Sequence, residues 1–156
     1  MNIRSAKGSD YALISPLIND WWGGRPMSDM LPKLFFDHFN ATSFIAEKEG
    51  RIVGFLIGFL SQTYSDEAYI HFAGVHPAYR KHHIGKRLYE VFFETVKRLG
   101  RNEVRCVTSP SNQVSIAYHT KMGFEAEKGD KEVDGVPVFA DYDGARQDRV
   151  LFVKKI

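Results

Sequence analysis

The sequence predicts an α/β fold in one domain, residues 1–156: a mixed, mostly antiparallel central sheet with helices on both faces. Two apolar runs meet at Glu49-Gly50 and read as a hairpin early in the chain. From Ile84 to Leu99 the apolar residues fall on one helical face, and strands and helices alternate from there on.

Each element has its own local cause. "NIRSA" is a short strand, and Ser9 or Asp10 caps a helix with Leu13, Ile14, Leu17 and Ile18 on one face until "WWGGRP" breaks it. Ser28 or Asp29 starts a second helix, with Pro32 near its first turn and Leu31, Leu34, Phe35 and Phe39 as its apolar stripe. The second hairpin arm, Ile52 to Leu60, is almost continuously apolar, as a central strand buried on both faces would be. "DEAYIHFAGV" is the next strand, ended by "VHP" because proline cannot continue a ladder. Ile84, Leu88, Val91, Phe92, Thr95, Val96 and Leu99 form the longest amphipathic helix, closed by Gly100. "NEVRCVT" is a strand, Ser111 or Asn112 caps a helix ending near Met122-Gly123, and "GFEAEK" is strand-like. Gly129 to Arg146 is a long, charged, glycine-containing excursion, and "RVLFVKK" closes the sheet.

Composition excludes several classes. Apolar residues are 44% and charged residues 26%, which rules out a disordered chain. The net charge of +2 is too small for a polyanion binder, and the apolar face of the Ile84–Leu99 helix belongs to a core, so no nucleic-acid partner is expected. The only cysteine, Cys106, allows no internal disulfide and no cysteine metal site; no metal is expected, and a buried thiol fits its strand. The N-terminus lacks a secretory pattern and no apolar run is long enough to span a membrane, so a cytoplasmic protein is expected.

Charge is concentrated locally. Tyr79 to Arg105 holds eight Lys/Arg against three Glu. Within it, "AYRKHHIGKRLYE" places Arg80, Lys81, His82, His83, Lys86 and Arg87 around Gly85 where a helix begins. A first helical turn leaves N–H groups unpaired, and the helix dipole adds partial positive charge there. A diphosphate suits such a place. A Walker loop is excluded, because it needs glycine at Arg80 and Ser/Thr at Arg87, and no dinucleotide G-x-G-x-x-G is present.

What remains, V-x-P-x-x-R-x-x-x-x-G between a strand and an amphipathic helix, resembles the GCN5-related N-acetyltransferase (GNAT) superfamily. Its Arg/Gln-x-x-Gly-x-Gly/Ala signature is met by Arg80-Lys81-His82-His83-Ile84-Gly85, with His83 at the first glycine. A second stretch, "NQVSIAYHTKMGF", is similar to the family's N-x-x-x-I-x-x-Y-x-K-x-G-F, with Asn112, Ile116, Lys121, Gly123 and Phe124 in register and His119 at the tyrosine. Together the two motifs and the early elements cover nearly the whole chain.

The resemblance implies an N-acyltransferase that moves an acetyl group from acetyl-CoA to a primary amine of a small molecule or a protein. It implies splayed central strands, with pantetheine bonded to the edge freed near Val75 and an oxyanion donor at the N–H of Gly74 or Val75. It assigns coenzyme binding to Gly74, Val75, Arg80, Lys81, His82, His83, Ile84, Gly85, Lys86, Asn112 and His119. The family tyrosine protonates the departing thiolate, so His119 is the expected acid. Tyr118 lies ~100° around the helix and is not expected to substitute.

A base must also deprotonate the acceptor amine. Strand alternation puts Glu67, Tyr69, His71, Ala73 and Val75 on one face. The family often carries glutamate at Tyr69 or His71; here His71, which titrates near neutrality, is the base candidate, and Glu67 is an alternative acting through water. Trp21-Trp22-Gly23-Gly24-Arg25 stands where the family binds its acceptor, while Asp141, Asp143 and Asp148 favour a cation, so the acceptor's charge is left open. Dimers are common in the family, so a homodimer is a further expectation. The competing function is a non-catalytic acyl-CoA sensor with a drifted site.

Overall fold

Glu49 and Gly50 both have positive φ, 52° and 75°, the backbone that joins two strands without splaying them. They connect β2 (Phe44–Lys48) to β3 (Arg51–Leu60). A computed structural model describes all 156 residues. The remaining elements are β1 (Asn2–Ser5), α1 (Asp10–Trp21), α2 (Leu34–His38), β4 (Glu67–Val75), α3 (Ile84–Arg98), β5 (Glu103–Thr108), α4 (Gln113–Lys121), β6 (Glu125–Ala126), β7 (Lys131–Val133), β8 (Val136–Val138) and β9 (Val150–Lys155). The main sheet runs β1-β2-β3-β4-β5-β9-β6, with β7-β8 as a separate hairpin. Every neighbouring pair is antiparallel except β4 and β5. The predicted mixed, mostly antiparallel sheet is therefore present.

Two apolar layers cover it. On one face α3 packs Ile84, Leu88, Phe92 and Val96, with Phe124 just beyond α4, against Leu56, Ile70, Val104 and Phe152. Glycine brings α3 close: a Cβ on Gly58 would stand 2.5 Å from the Phe92 ring and 2.8 Å from the Tyr69 carbonyl oxygen. On the other face Ile14, Ile18, Trp21, Leu31 and Phe36 pack against Phe55, Ile57 and Phe72.

Three expectations fail for physical reasons. The second predicted helix is two pieces, a 3-10 turn at Ser28–Met30 and the five-residue α2. Pro32 disfavours helix in the residue before it, and Leu31 leaves the helical region at φ −133°, ψ 71°. Leu34, expected in the stripe, is 49% exposed. The charged excursion contains the β7–β8 hairpin, turned by Asp134-Gly135 with φ of 50° and 80°. That Asp-Gly pair was a readable hairpin signal.

The third failure bears on the site. The β3–β4 register passes from Ile57↔Phe72 to Gly58↔Ile70, so His71 is an extra residue in β4. Such a bulge shifts the alternation. Before it Tyr69 stacks on Phe59; after it Phe72 and Gly74 pack toward α1, while Ala73 and Val75 pack toward α3. Tyr69 and His71 therefore do not share a face with Ala73 and Val75.

Candidate active site

β4 and β5 pair only at Glu67↔Glu103, Ala68↔Val104 and Tyr69↔Arg105. Beyond Tyr69 the two parallel strands separate, and the β4 edge from Ile70 to Val75 has no strand beside it. His76 donates its N–H to Val53 on β3 (2.8 Å). Backbone direction alternates along a strand, so the N–H groups of Val75 and Ala73 turn to the vacated side and that of Gly74 turns to β3. Gly74 contributes space instead: a Cβ there would lie 2.5 Å from the Trp22 ring.

The chain leaves β4 through a 3-10 turn, Pro77–Tyr79, in which His76 Nδ1 accepts the Ala78 N–H at 3.0 Å. Arg80 folds back and donates to the Trp21 carbonyl (2.6 Å) and the Val75 carbonyl (3.4 Å). Its guanidinium ties the turn to α1 rather than standing free as a cation. His83 precedes α3 at φ 58°, ψ 23°, the left-handed region that a glycine would occupy without strain. A β-carbon does not prevent this backbone; it makes it costlier, by roughly 1–2 kcal/mol. No carbonyl or side chain takes the N–H groups of His83, Ile84, Gly85 and Lys86. Ile84 is buried and anchors the turn, whereas Lys81, His82, His83, Lys86 and Arg87 are exposed around those four donors.

Helix α4 approaches the same point. Asn112 Oδ1 caps it by accepting the Ser115 N–H at 3.1 Å, so that side chain is committed to the helix. Tyr118 sends its hydroxyl against Gly85, 2.8 Å from where a Gly85 Cβ would stand, a position also 3.5 Å from Val75 Cγ2. This hydroxyl is buried and has no hydrogen-bond partner. Burial, followed by the nearby Glu90 charge, pushes its pKa up to about 12. A buried polar group left unpaired is uncommon and marks a place where a ligand can complete it.

His119 points the other way. Its ring stacks on Phe152 at 5.2 Å within a shell formed by Tyr89, Tyr118 and Phe124. Nδ1 lies 2.8 Å from the Ser115 carbonyl, which can only accept, so Nδ1 carries the proton. Nε2 then accepts from the Tyr89 hydroxyl at 2.9 Å. Burial lowers its pKa and holds it neutral. Both nitrogens are thus occupied inside the core, a geometry for packing and not for reaching a leaving group.

Comparison with known proteins assigns this arrangement to a family. Residues 12–124 match the model of the acetyltransferase (GNAT) family. The chain belongs to the GNAT acetyltransferase family. An L-2,4-diaminobutyric acid acetyltransferase of Nocardia farcinica is 33% identical over 79 residues, 51% of this chain; the match spans about two fifths (41%) of that relative's length. Among solved GNAT-type structures, a diaminobutyrate acetyltransferase (EctA) of Paenibacillus lautus superposes with a TM-score of 0.69 at 24% identity, over 97% of this chain and 92% of that one. Ard1 of Thermoplasma volcanium gives 0.78 at 17% identity, over 99% and 97%. These structural likenesses establish the GNAT fold.

On the opposite face of the GNAT sheet, His71 stacks on Phe35 (centroids 4.2 Å apart, rings parallel). Its Nε2 lies 2.6 Å from the Met30 carbonyl and so carries the proton, leaving Nδ1 as the basic atom. Burial lowers its pKa more than this hydrogen bond raises it. Glu67 is held by Arg105 at 2.7 Å, and Arg105 also binds Glu103 (3.3 Å) and Glu127. Tyr69 is half-buried, and that burial pushes its pKa up, so it stays a neutral phenol. Trp21 and Trp22 both pack on Phe55, and Trp22 also covers Gly74 and Phe72, so the tryptophan pair belongs to the α1 layer. No helix is long and apolar enough to cross a membrane.

The sequence motifs thus converge on one place, with the free amides of α3 facing the separated strands. The motifs did not single out Tyr118, one position from His119, whose unpartnered hydroxyl the structure places beside Gly85. Tyr89, on α3, engages His119 from the core side and leaves Tyr118 beside Gly85, a tertiary contact that neither motif signals.

Proposed function

We propose that this protein transfers the acetyl group of acetyl-CoA to an amine acceptor by direct attack. The observation that carries the reading is the meeting, at one point, of four unpaired N–H groups, an unpaired strand edge and the orphan Tyr118 hydroxyl. These features suit a diphosphate, an extended amide-bearing arm and a sulfur, in that order along the cleft. Acetyl-CoA supplies an activated acyl group on a thiolate leaving group.

The chain's own residues then divide the work. The N–H groups of His83 to Lys86 hold the diphosphate, with Lys81, His82 and Lys86 adding positive charge or donors at the rim. The N–H groups of Ala73 and Val75 bond the pantetheine arm or the thioester oxygen as negative charge develops there. His71 Nδ1 takes the amine proton, directly or through water, as the nitrogen bonds to the acyl carbon and the carbon–sulfur bond breaks. Tyr118 donates a hydrogen bond to the departing sulfur. A phenol near 12 is a weaker acid than a thiol of pKa ~8.5, so its part is to stabilise the thiolate while solvent supplies the final proton. His119, in this reading, keeps α4 in register.

Steady release of free thiol from acetyl-CoA in the presence of an amine panel, with acetylated product confirmed by mass, is the expected result. Because burial depresses His71, the acidic limb of kcat/KM lies below the ~6.5 of free imidazole and disappears in His71→Gln. Tight acetyl-CoA binding without turnover on any amine would instead favour the acyl-CoA sensor.

A further inference from the structure

A cavity of about 480 Å³ opens where β4 and β5 stop pairing. Tyr69 and Arg105, the last paired residues, both line it. It lies on the side of the sheet away from α3, since Tyr69 stacks on Phe59, whose ring meets Phe39 near α2. The acetyl-transfer reading places the coenzyme arm on the α3 side of the same separation. The cavity therefore has the position of an acceptor chamber, and the inference rests on that reading.

Its walls have a definite chemistry. Phe59, Tyr64, Tyr69 and Tyr142 contribute four aromatic rings, and Glu67 and Glu127 contribute carboxylates. Arg105 is a cation in the wall, but three carboxylates crowd it: Glu67, Glu103 and Glu127. Lys155 offsets one of them through Glu103. Arg149, nearby, is paired with Asp143 at 2.8 Å. Arg101 spends its guanidinium on the main-chain carbonyls of Ser61, Tyr64 and Glu67, so among the side chains gathered on Arg105 the carboxylates outnumber the cations three to two, and burial and the neighbouring Glu103 raise the pKa of Glu67. Aromatic faces beside an under-neutralised carboxylate are the setting that binds an ammonium ion.

The ammonium held here is not the nitrogen that reacts. A surplus carboxylate favours the protonated amine and so opposes attack. His71, by contrast, with its free Nδ1, stands only two residues beyond Tyr69 on β4, at most about 7 Å further along the strand. We propose that the acceptor is a dibasic aliphatic amine, with one nitrogen delivered to His71 and the second, cationic and unreacting, seated between Tyr69, Tyr142, Glu67 and Glu127. The exposed Tyr142 forms the outer wall on the loop after β8.

Calorimetry with putrescine and with n-butylamine, each with and without free coenzyme A, tests this independently of turnover. Putrescine is expected to bind at least about 10-fold more tightly than n-butylamine in at least one of the two conditions. Tyr142→Ala, at an exposed position, and Glu127→Gln are each expected to remove about 3-fold or more of that preference. Equal binding of the two amines in both conditions, or a preference unchanged in both variants, overturns the inference. Putrescine binding as expected without thiol release keeps the chamber and refutes acetyl transfer. Thiol release that is equally efficient with monoamines does the reverse.

Discussion

Replacing Tyr118 by phenylalanine lowers kcat about 100-fold and leaves acetyl-CoA binding within about two-fold, because the hydroxyl acts on charge that appears only as the carbon–sulfur bond breaks. The fold responds in the opposite direction. The hydroxyl is buried without a partner, and removing such a group relieves roughly 1–3 kcal/mol of desolvation. The variant is therefore expected to melt at or above the wild-type temperature. His119→Phe reverses the pattern: it orphans the Tyr89 hydroxyl, removes the side-chain bond to the Ser115 carbonyl, costs stability, and changes kcat far less. Steady-state kinetics and thermal melts on the two variants separate the roles. A Tyr118→Phe enzyme at full rate, or a His119→Phe enzyme that folds normally but does not turn over, contradicts the assignment.

Gly85→Asp abolishes coenzyme binding while the helix persists. An acidic residue in the first turn of α3 favours the helix dipole, so the circular dichroism spectrum should be unchanged. The new Cβ stands 2.8 Å from the Tyr118 hydroxyl, a terminal atom that can yield. The new carboxylate, however, faces the diphosphate position. Two like charges ~4 Å apart at an effective dielectric constant of about 20 repel by roughly 4 kcal/mol before salt screening. Calorimetry is expected to show at least about a 100-fold rise in Kd. A rise below about 3-fold would mean that the diphosphate lies elsewhere.

Much of this was legible in the sequence because local rules agreed. The α3 stripe from Ile84 to Val96 has helical spacing and is buried on that face, although Leu99, its last predicted member, is 47% exposed beyond the helix end. The Glu49-Gly50 turn and the strand stop at Pro77 also follow from residues a few positions apart. The separation of β4 from β5 was implied by family resemblance and is present. Features that depend on a distant partner were not legible. The His71 bulge exists because β3 supplies one residue where β4 supplies two, and nothing within "AYIHFAGV" marks it. The choice between Tyr118 and His119 is made by Tyr89, thirty residues before His119 in the chain, which captures the histidine. Arg80 looked like a free cation beside Gly85; its actual partner, the Trp21 carbonyl, is 59 residues away.

Backbone amide exchange, followed residue by residue with and without acetyl-CoA, examines the main-chain grip itself. The expected outcome is slowed exchange at His83 to Lys86 and at Ala73 and Val75, with β3 and α1 unaffected. Saturating ligand that leaves those amides exchanging at their free rates, or that protects another part of the sheet, would contradict it.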